Sequence, residues 1–296
     1  MAYPFCRPQD VDSAAQGAEG VRLCVIGHPI AHSKSPQMQQ AALASCGMAG
    51  SYLRVESPLE EGGFESVLSL LREKGFTGCN VTVPFKTRAF AAAVQTDALS
   101  SLCGASNTLV NREGGWHAYN TDGPGFRRAV EELTGTPLAE QRVLLLGACG
   151  GAGSALAYQC ALDGCPVLTL VNRPKPALDT LAERVRQQTT GIVTPLSLNS
   201  PELRDAVAEA DLVVNATSLG LKEGDALPLP PEWLRPGQTV YDIVTHDTPF
   251  RRAAAAVGCR TDNGLGMLLW QGAYAFEHWF GILPPTAPMK EALQQA

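Results

Sequence analysis

The stretch that decides the fold is RVLLLGACGGAGSALAYQCA, residues 142–161. Its leucine-rich start predicts a buried strand, its glycines a tight turn, and the small apolar residues that follow a helix. A strand, a glycine-rich turn and a helix in this order typically bind the pyrophosphate of a dinucleotide. The residues expected at this turn are Gly147, Ala148, Cys149, Gly150 and Gly151.

The turn departs from the usual spacing Gly-x-Gly-x-x-Gly. Counted from Gly147, the second glycine position holds Cys149 and the third holds Ala152. A register through Gly151 and Gly153 restores Gly-x-Gly but places the turn four residues beyond the strand, so we reject it. We expect the Cys149 side chain to crowd the closest approach of the backbone to the pyrophosphate.

Strands and helices alternate on both sides of this turn. In the second half, strands are predicted at 142–147, 166–173, 191–198, 211–218 and 239–245, with helices that begin near Gly150, Ala177 and Glu202. In the first half, strands are predicted at 21–27, 50–56 and 78–85, helices at 35–47 and 64–75, and a hairpin at 105–120 that turns at Gly114–Gly115. The pattern predicts an α/β protein, with a mostly parallel first sheet and a doubly wound second half. The apolar helix at 265–281 should pack against a large partner surface.

Composition excludes several classes of protein. The chain has 296 residues, enough for two domains, with 45% hydrophobic and 18% charged residues and a net charge of −6. It has no basic block and no run of 18 apolar residues, so we expect neither a nucleic-acid nor a membrane partner. Nine cysteines without Cys-x-x-Cys and five histidines without ligand spacing predict reduced thiols and no metal site. Residues 1–20 lack the features of a secretory signal, so we expect a loose leader and a cytoplasmic protein.

The end of the strand after the turn indicates which nucleotide binds. Asn172 and Arg173 stand where a site for NAD usually places an acidic residue on the ribose. A guanidinium instead pairs with a 2′-phosphate through two hydrogen bonds, and Lys175 adds positive charge, so we expect NADP. The alternative is that Arg173 is a solvated loop residue.

Short polar motifs in the first half are candidates for substrate binding. Ser33 and Ser35 are two residues apart, so in an extended segment both hydroxyls face one side and can donate to one acceptor. Lys86 closes the motif NVTVPFK, Asn107 lies in SNT, and Asp122 lies in NTDGPGF. Taken singly, each of these residues could be a helix cap, a turn residue or a solvated strand end.

Together and in this order, these motifs resemble the shikimate dehydrogenase family. The resemblance continues through NATSLG (215–220) and NGLGMLLWQGA (263–273), and covers about residues 21–281. It implies reversible, NADPH-dependent reduction of 3-dehydroshikimate to shikimate. It also implies a substrate-binding catalytic domain at 21–121 and 265–296 and an NADP-binding Rossmann domain at 122–264.

The resemblance assigns roles to individual positions. It implies that Ser33 and Ser35 bind the substrate carboxylate, and that the ring hydroxyls are bound by Thr82, Asn107 and Gln271. It implies a catalytic pair of Lys86 and Asp122, and cofactor contacts from Thr217, Gly264 and Met267. These two roles suit the reduction of a ketone. Hydride delivery to the ketone leaves an alkoxide, and a lysine held by an aspartate can protonate it.

Four positions depart from the family pattern. They are Cys149 in the turn, Pro174 after Asn-Arg, Thr245 where a tyrosine usually reaches the substrate, and Leu221 where methionine is common. The segment around Thr245 is also two residues shorter. These departures leave open an NAD-dependent quinate/shikimate dehydrogenase or a paralogue acting on another hydroaromatic acid. A non-catalytic binding or regulatory module is the alternative from another class, and a monomer and a homodimer both stay open.

Overall fold

The computed structural model describes residues 5–11, 20–174 and 176–295. The chain divides into two compact units, Met1–Thr121 with Leu269–Ala296, and Asp122–Leu268. None of the helices in the described ranges is long and apolar enough to cross a membrane.

Strands and helices alternate through both units. Within the described residues, the strands are β1 (Phe5–Cys6), β2 (Val21–Gly27), β3 (Gly50–Glu56), β4 (Gly78–Val81), β5 (Gln95–Thr96), β6 (Thr108–Arg112), β7 (Gly115–Tyr119), β8 (Arg142–Leu146), β9 (Val167–Asn172), β10 (Ile192–Ser197), β11 (Leu212–Asn215), β12 (Thr239–Asp242) and β13 (Arg260–Asp262). The α-helices are α1 (Ser35–Ser45), α2 (Gly63–Glu73), α3 (Lys86–Ala91), α4 (Ala98–Cys103), α5 (Asp122–Thr134), α6 (Gly151–Leu162), α7 (Pro176–Arg186), α8 (Leu203–Glu209), α9 (Pro249–Val257), α10 (Leu265–Phe280) and α11 (Thr286–Gln294).

The first unit is built on a seven-stranded sheet of order β1-β3-β2-β4-β6-β7-β5. β6 runs antiparallel to β4 and β7, and the other pairs are parallel. The start of β6 therefore lies at the same edge as the ends of β2, β4 and β7. α2 packs an apolar face on this sheet, and the rings of Phe64 and Phe85 stack 5.0 Å apart in the core.

The end of the chain returns to the first unit, as the sequence predicts. The indole N–H of Trp279 in α10 donates to the carbonyl of Leu109 at 3.0 Å. A side chain at Gly78 would collide with that indole, with 2.2 Å between its Cβ and Nε1. The apolar helix thus has the large partner surface that its composition requires.

The second unit carries a six-stranded sheet of order β10-β9-β8-β11-β12-β13. All five strand pairs are parallel. In chain order this is the 3-2-1-4-5-6 arrangement of the doubly wound fold, and the direction of winding reverses between β8 and β11. The predicted fold class is confirmed.

Several local predictions are wrong. Residues 5–11 are not a loose leader, because β1 pairs with β3 and the apolar side chains of Cys6 and Val11 are 1% and 0% exposed in the core. Residues 1–4 and 12–19 of the predicted leader lie outside the described residues. Its last residue, Gly20, is described. The hairpin turns at 113–114, since Arg112 pairs with Gly115.

Lys86 also lies in a different element from the predicted one. The strand predicted at 78–85 ends at Val81, and the Phe85 N–H donates to the Thr82 carbonyl at 3.0 Å in a turn that contains Pro84. Proline cannot donate to a strand ladder, so the turn replaces the strand there. Lys86 is therefore the first residue of α3 and not the end of a strand.

Candidate active site

One edge of the first sheet gathers the motifs that the sequence analysis singled out. The Thr82 N–H donates to the Ile26 carbonyl at 2.9 Å, which joins the end of β4 to the end of β2. The Val81 N–H donates to the carbonyl of Asn107 at 2.8 Å, and the Ser106 N–H donates to that of Lys86 at 2.9 Å. The backbones of Thr82, Lys86 and Asn107 are thus neighbours at this edge.

The serine loop follows β2 and is held by an arginine. Ser35 begins α1 and is 6% exposed, whereas Ser33 is half-buried in the loop before it. The guanidinium of Arg54 donates to the carbonyl of Ser33 through Nε at 2.9 Å and Nη2 at 2.6 Å. Arg54 is only 8% exposed, so a buried cation fixes the loop that carries both hydroxyls.

Asn107 is the centre of a buried amide network. Its Nδ2 donates to Thr121 Oγ1 at 2.9 Å and to Gln271 Oε1 at 3.3 Å, and its Oδ1 accepts from the Thr121 N–H at 2.8 Å. Asn107 is 2% exposed and Gln271 is 7% exposed. Residues 164 positions apart in sequence therefore meet in one hydrogen-bonded group.

Two further buried residues connect this network to the serine loop. The Tyr52 hydroxyl donates to Asn80 Oδ1 at 2.7 Å, and Asn80 Nδ2 donates to Thr108 Oγ1 at 3.1 Å and to the carbonyl of Asn107 at 3.2 Å. Burial raises the pKa of Tyr52 well above its ordinary value, while a hydrogen bond with Ser35 lowers it. The hydroxyl therefore stays protonated and can donate.

Sequence reasoning missed Tyr52, Arg54 and Asn80. A signal was present, because Tyr52 and Arg54 are two residues apart and so share one face of β3. Asn80 has the same relation to Thr82 within NVTVPFK. Polar residues that recur with a period of two along buried strands mark this edge.

The two residues of the predicted catalytic pair belong to different units. Lys86 is half-buried at the start of α3. Asp122, which is 5% exposed, is the first residue of α5 and of the second unit. It directly follows Thr121, whose backbone and hydroxyl are both bonded to Asn107.

The glycine-rich turn of the second unit is tight and leads directly into α6. Gly147 has φ of 77°, in the left-handed region, and its N–H donates to the carbonyl of Val171 at 2.8 Å. The Gly150 N–H donates back to the Gly147 carbonyl at 2.9 Å, and α6 begins at Gly151. Cys149 is half-buried within the turn.

The close-packing glycine of this turn is Gly153. A Cβ there would lie 2.2 Å from the carbonyl oxygen of Gly147 and 3.0 Å from Ala148 Cα, and both of these atoms belong to the backbone. By contrast, a Cβ on Gly151 would meet no atom within 4 Å. The residue packed most closely on the turn is thus Gly153, one position after Ala152, which holds the third glycine position when the spacing is counted from Gly147.

The other predicted cofactor residues surround the point where the winding reverses. Asn172 ends β9 and Arg173 follows it, exposed to solvent, beside the turn that bonds to Val171. Thr217 follows β11, and a Cβ on Gly147 would lie 2.9 Å from its backbone nitrogen. Lys175 lies outside the described residues.

Gly264 and Met267 also belong to the second unit. A Cβ on Gly264 would lie 1.9 Å from the carbonyl oxygen of Ile243, so only glycine fits there. The Met267 N–H donates to the Tyr241 hydroxyl at 3.0 Å, and the Met267 residue is 7% exposed. Both residues thus adjoin the segments around the end of β12.

A buried carboxylate joins the loops after β11 and β12. Asp242 Oδ1 accepts from Asn215 Nδ2 at 3.0 Å, and Oδ2 accepts from the Thr248 hydroxyl at 2.7 Å. Burial raises the pKa of the Asp242 carboxyl above its ordinary value of 3.8, against the lowering effect of these hydrogen bonds. In the shortened segment around Thr245, His246 Nε2 lies 2.8 Å from the carbonyl oxygen of Gly220.

Metal-binding side chains do not cluster among the described residues, where no group of three His, Cys, Asp or Glu could hold an ion. The edge of the first sheet instead gathers hydroxyl and amide groups. Such groups suit a polyhydroxylated carboxylic acid, whose hydroxyls and carboxylate they can bind.

Comparison with known proteins agrees with this chemistry. The family model "Shikimate dehydrogenase substrate binding domain" matches residues 25–109, and "Shikimate 5'-dehydrogenase C-terminal domain" matches residues 264–294. The shikimate dehydrogenase (NADP(+)) of Moorella thermoacetica is 40% identical over 93% of this chain and 92% of its own length.

Solved structures agree as well. The shikimate 5-dehydrogenase of Thermus thermophilus in complex with NADP(H) and shikimate has a TM-score of 0.82 and 37% identity, over 93% of this chain and 99% of its own. The quinate dehydrogenase of Corynebacterium glutamicum in complex with NAD has a TM-score of 0.83 and 28% identity, over 94% of this chain and 99% of its own. The predicted family is confirmed, and the chain belongs to the shikimate dehydrogenase family.

Proposed function

We propose that the protein is an NADP-dependent shikimate dehydrogenase, which reversibly reduces 3-dehydroshikimate to shikimate. The observation that carries the proposal is the buried edge of the first sheet, where Asn107, Gln271 and the serine loop bring together amide and hydroxyl groups that suit a hydroxylated carboxylic acid. The names of the similar proteins support the same activity.

We assign substrate binding to the first unit. Ser33 and Ser35 would bind the carboxylate, because two hydroxyls on one loop can donate to its two oxygens without adding a charge. Thr82, Asn107 and Gln271 would bind ring hydroxyls. The amides of Asn107 and Gln271 each combine donors and acceptors, which suits hydroxyls that also do both.

We assign proton transfer to Lys86 and Asp122. The hydroxyl that is oxidised must lose its proton, and the ketone that is reduced must gain one at the same oxygen. A lysine can do both if a carboxylate holds and orients its ammonium group. The half-buried Lys86 and the buried Asp122 supply these two groups.

The second unit fits a dinucleotide. The left-handed Gly147 and the open N-terminus of α6 suit a pyrophosphate, since the first N–H groups of a helix are free to donate. The exposed Arg173 would pair with the 2′-phosphate, and Thr217, Gly264 and Met267 would adjoin the nicotinamide, which supplies the hydride chemistry when bound. We propose the remaining turn residues, Ala148 to Gly151, and Asn172 as further contacts.

A second candidate is an NAD-dependent quinate/shikimate dehydrogenase. Likeness to the quinate dehydrogenase of Corynebacterium glutamicum and the loss of a tyrosine at Thr245 favour it. The chain has no acidic residue at Asn172 or Arg173 to bind a ribose hydroxyl, which disfavours NAD.

We also propose that the enzyme works in the cytoplasm, as a monomer or a homodimer. All nine cysteines are free thiols, which is typical of a reducing compartment.

The test is turnover with two substrate pairs. Purified protein is mixed with shikimate and NADP⁺, and separately with quinate and NAD⁺, and the formation of reduced nicotinamide is followed. We expect the higher kcat/KM with shikimate and NADP⁺. Faster turnover with NAD⁺ would favour the second candidate, and the absence of turnover with either pair would contradict an enzymatic role in this family.

A further inference from the structure

A buried glutamine joins the helix that begins at the serine loop to the helix that carries Gln271. Gln39 lies one turn after Ser35 in α1 and is 0% exposed. Its Nε2 donates to the carbonyl oxygen of Gly272 at 2.9 Å, across 233 positions of sequence. Its amide oxygen has no hydrogen-bond partner among the described residues.

The Gln39 amide is buried with one of its polar atoms unsatisfied by any described residue. Leaving a buried polar atom unsatisfied costs free energy, so the Gln39 side chain persists at a cost in stability. An apolar side chain of the same size would avoid that cost. What the amide provides, and an apolar residue cannot, is the hydrogen bond to the Gly272 carbonyl.

The two helices also lie close together at Gly272. A Cβ on Gly272 would lie 2.1 Å from Met38 Cε and 3.2 Å from Gln39 Nε2. Gly272 directly follows Gln271, whose Oε1 accepts from Asn107. The hydrogen bond from Gln39 thus fixes the backbone next to Gln271 relative to the helix that starts at Ser35.

We infer that Gln39 is a positioning residue for the substrate site, which acts through Gln271. It holds the group assigned to the ring hydroxyls at a set distance from the group assigned to the carboxylate, so it matches the site to the length of the substrate. This inference rests on the proposed substrate assignment and adds a residue that is itself too deeply buried to touch a ligand.

The experiment compares kinetics of Gln39→Met with those of Gln40→Met. The methionine keeps the shape of glutamine but cannot donate to Gly272. Gln40 is the matched control, because it lies on the same helix and also donates to a backbone carbonyl, that of Gly50 at 3.1 Å. We expect Gln39→Met to raise KM for shikimate about tenfold with KM for NADP⁺ changed less than about twofold, and Gln40→Met to leave both constants within about twofold.

A double-mutant cycle tests whether the effect passes through Gln271. In a Gln271→Ala background, Gln39→Met should change KM for shikimate less than about twofold, because residues that act as a unit are not additive. If Gln39→Met is poorly folded, Gln39→Leu replaces it, since an apolar side chain of similar size cannot donate either. The inference is overturned if a folded Gln39 variant loses thermal stability with unchanged KM for shikimate, or if its effect is equal in both backgrounds.

Failure of the proposed function is recognised separately. If wild-type protein does not oxidise shikimate, the proposed function fails, and the same variants are compared by calorimetric titration with shikimate. A dissociation constant for shikimate that is roughly tenfold larger in Gln39→Met than in Gln40→Met would still support the positioning role. Equal dissociation constants, or no binding of shikimate to wild-type protein, would overturn it.

Discussion

Replacing Gly153 with alanine tests the structure of the glycine-rich turn. The new Cβ would lie 2.2 Å from the Gly147 carbonyl oxygen and 3.0 Å from Ala148 Cα, and neither backbone group can rotate away. Forcing a methyl group into packed structure costs about 1–3 kcal/mol, and a clash against backbone belongs in the upper part of that range. Alanine regains up to about 1 kcal/mol as the better helix former, so we expect a net loss of about 1–2 kcal/mol.

Gly151→Ala is the matched control, because the same methyl group on the same helix meets no atom within 4 Å. Urea unfolding followed by circular dichroism gives the free energy of unfolding of each variant, and initial rates give KM for NADP⁺. We expect Gly153→Ala to be less stable than Gly151→Ala and to have a raised KM for NADP⁺, since the turn must move. Equal stability of the two variants would refute the close packing of α6 on the turn.

Three other perturbations test separate features. Cys149→Gly should lower KM for NADP⁺ because it removes the side chain expected to crowd the pyrophosphate, and an unchanged KM would show that the thiol is only a small residue that fits. Burial raises the pKa of Asp242, so the folded state holds this proton more tightly than the unfolded state does. The resulting stability is fully present below about pH 4 and is lost as pH rises through the raised pKa. Asp242→Asn should therefore gain stability relative to wild type as pH rises in urea unfolding, and a pH-independent difference would contradict this. Burial lowers the pKa of His278, whose ring stacks on Tyr119 at 3.9 Å, so its protonation costs stability as pH falls below about 6.5. His278→Phe keeps the stacking and should lose less stability on acidification in thermal unfolding, and an equal loss would be inconsistent with this.

The repeating parts of the fold were predictable from sequence. β2 and β3 have the predicted bounds, 21–27 and 50–56, because short segments rich in apolar residues between turn residues identify buried strands well. The second sheet, apart from β13, was predictable for the same reason, since turn residues bound its strands. Short elements such as β1 and β13 were not, because two or three residues carry no measurable period.

The site was predictable as a set of motifs but not as a network. Sequence motifs predict Ser33 and Asn107, and the family resemblance adds Gln271, yet nothing local indicates that Asn107 bonds to a residue 164 positions away. Arg54 was missed because a buried arginine depends on a loop carbonyl supplied by the tertiary fold. Gly153 was missed because the length of a turn, and not the spacing of its glycines, decides which residue packs closest.

The most direct test of the proposed mechanism is the kcat of Lys86→Ala with shikimate and NADP⁺, measured together with the dissociation constant for shikimate. Positioned acid–base groups contribute about 10²–10⁴-fold to rate, so we expect a loss of that size in kcat. The dissociation constant should change less than about tenfold, because the hydroxyl and amide donors of the first unit remain. A variant with wild-type kcat would contradict the assignment of proton transfer to Lys86.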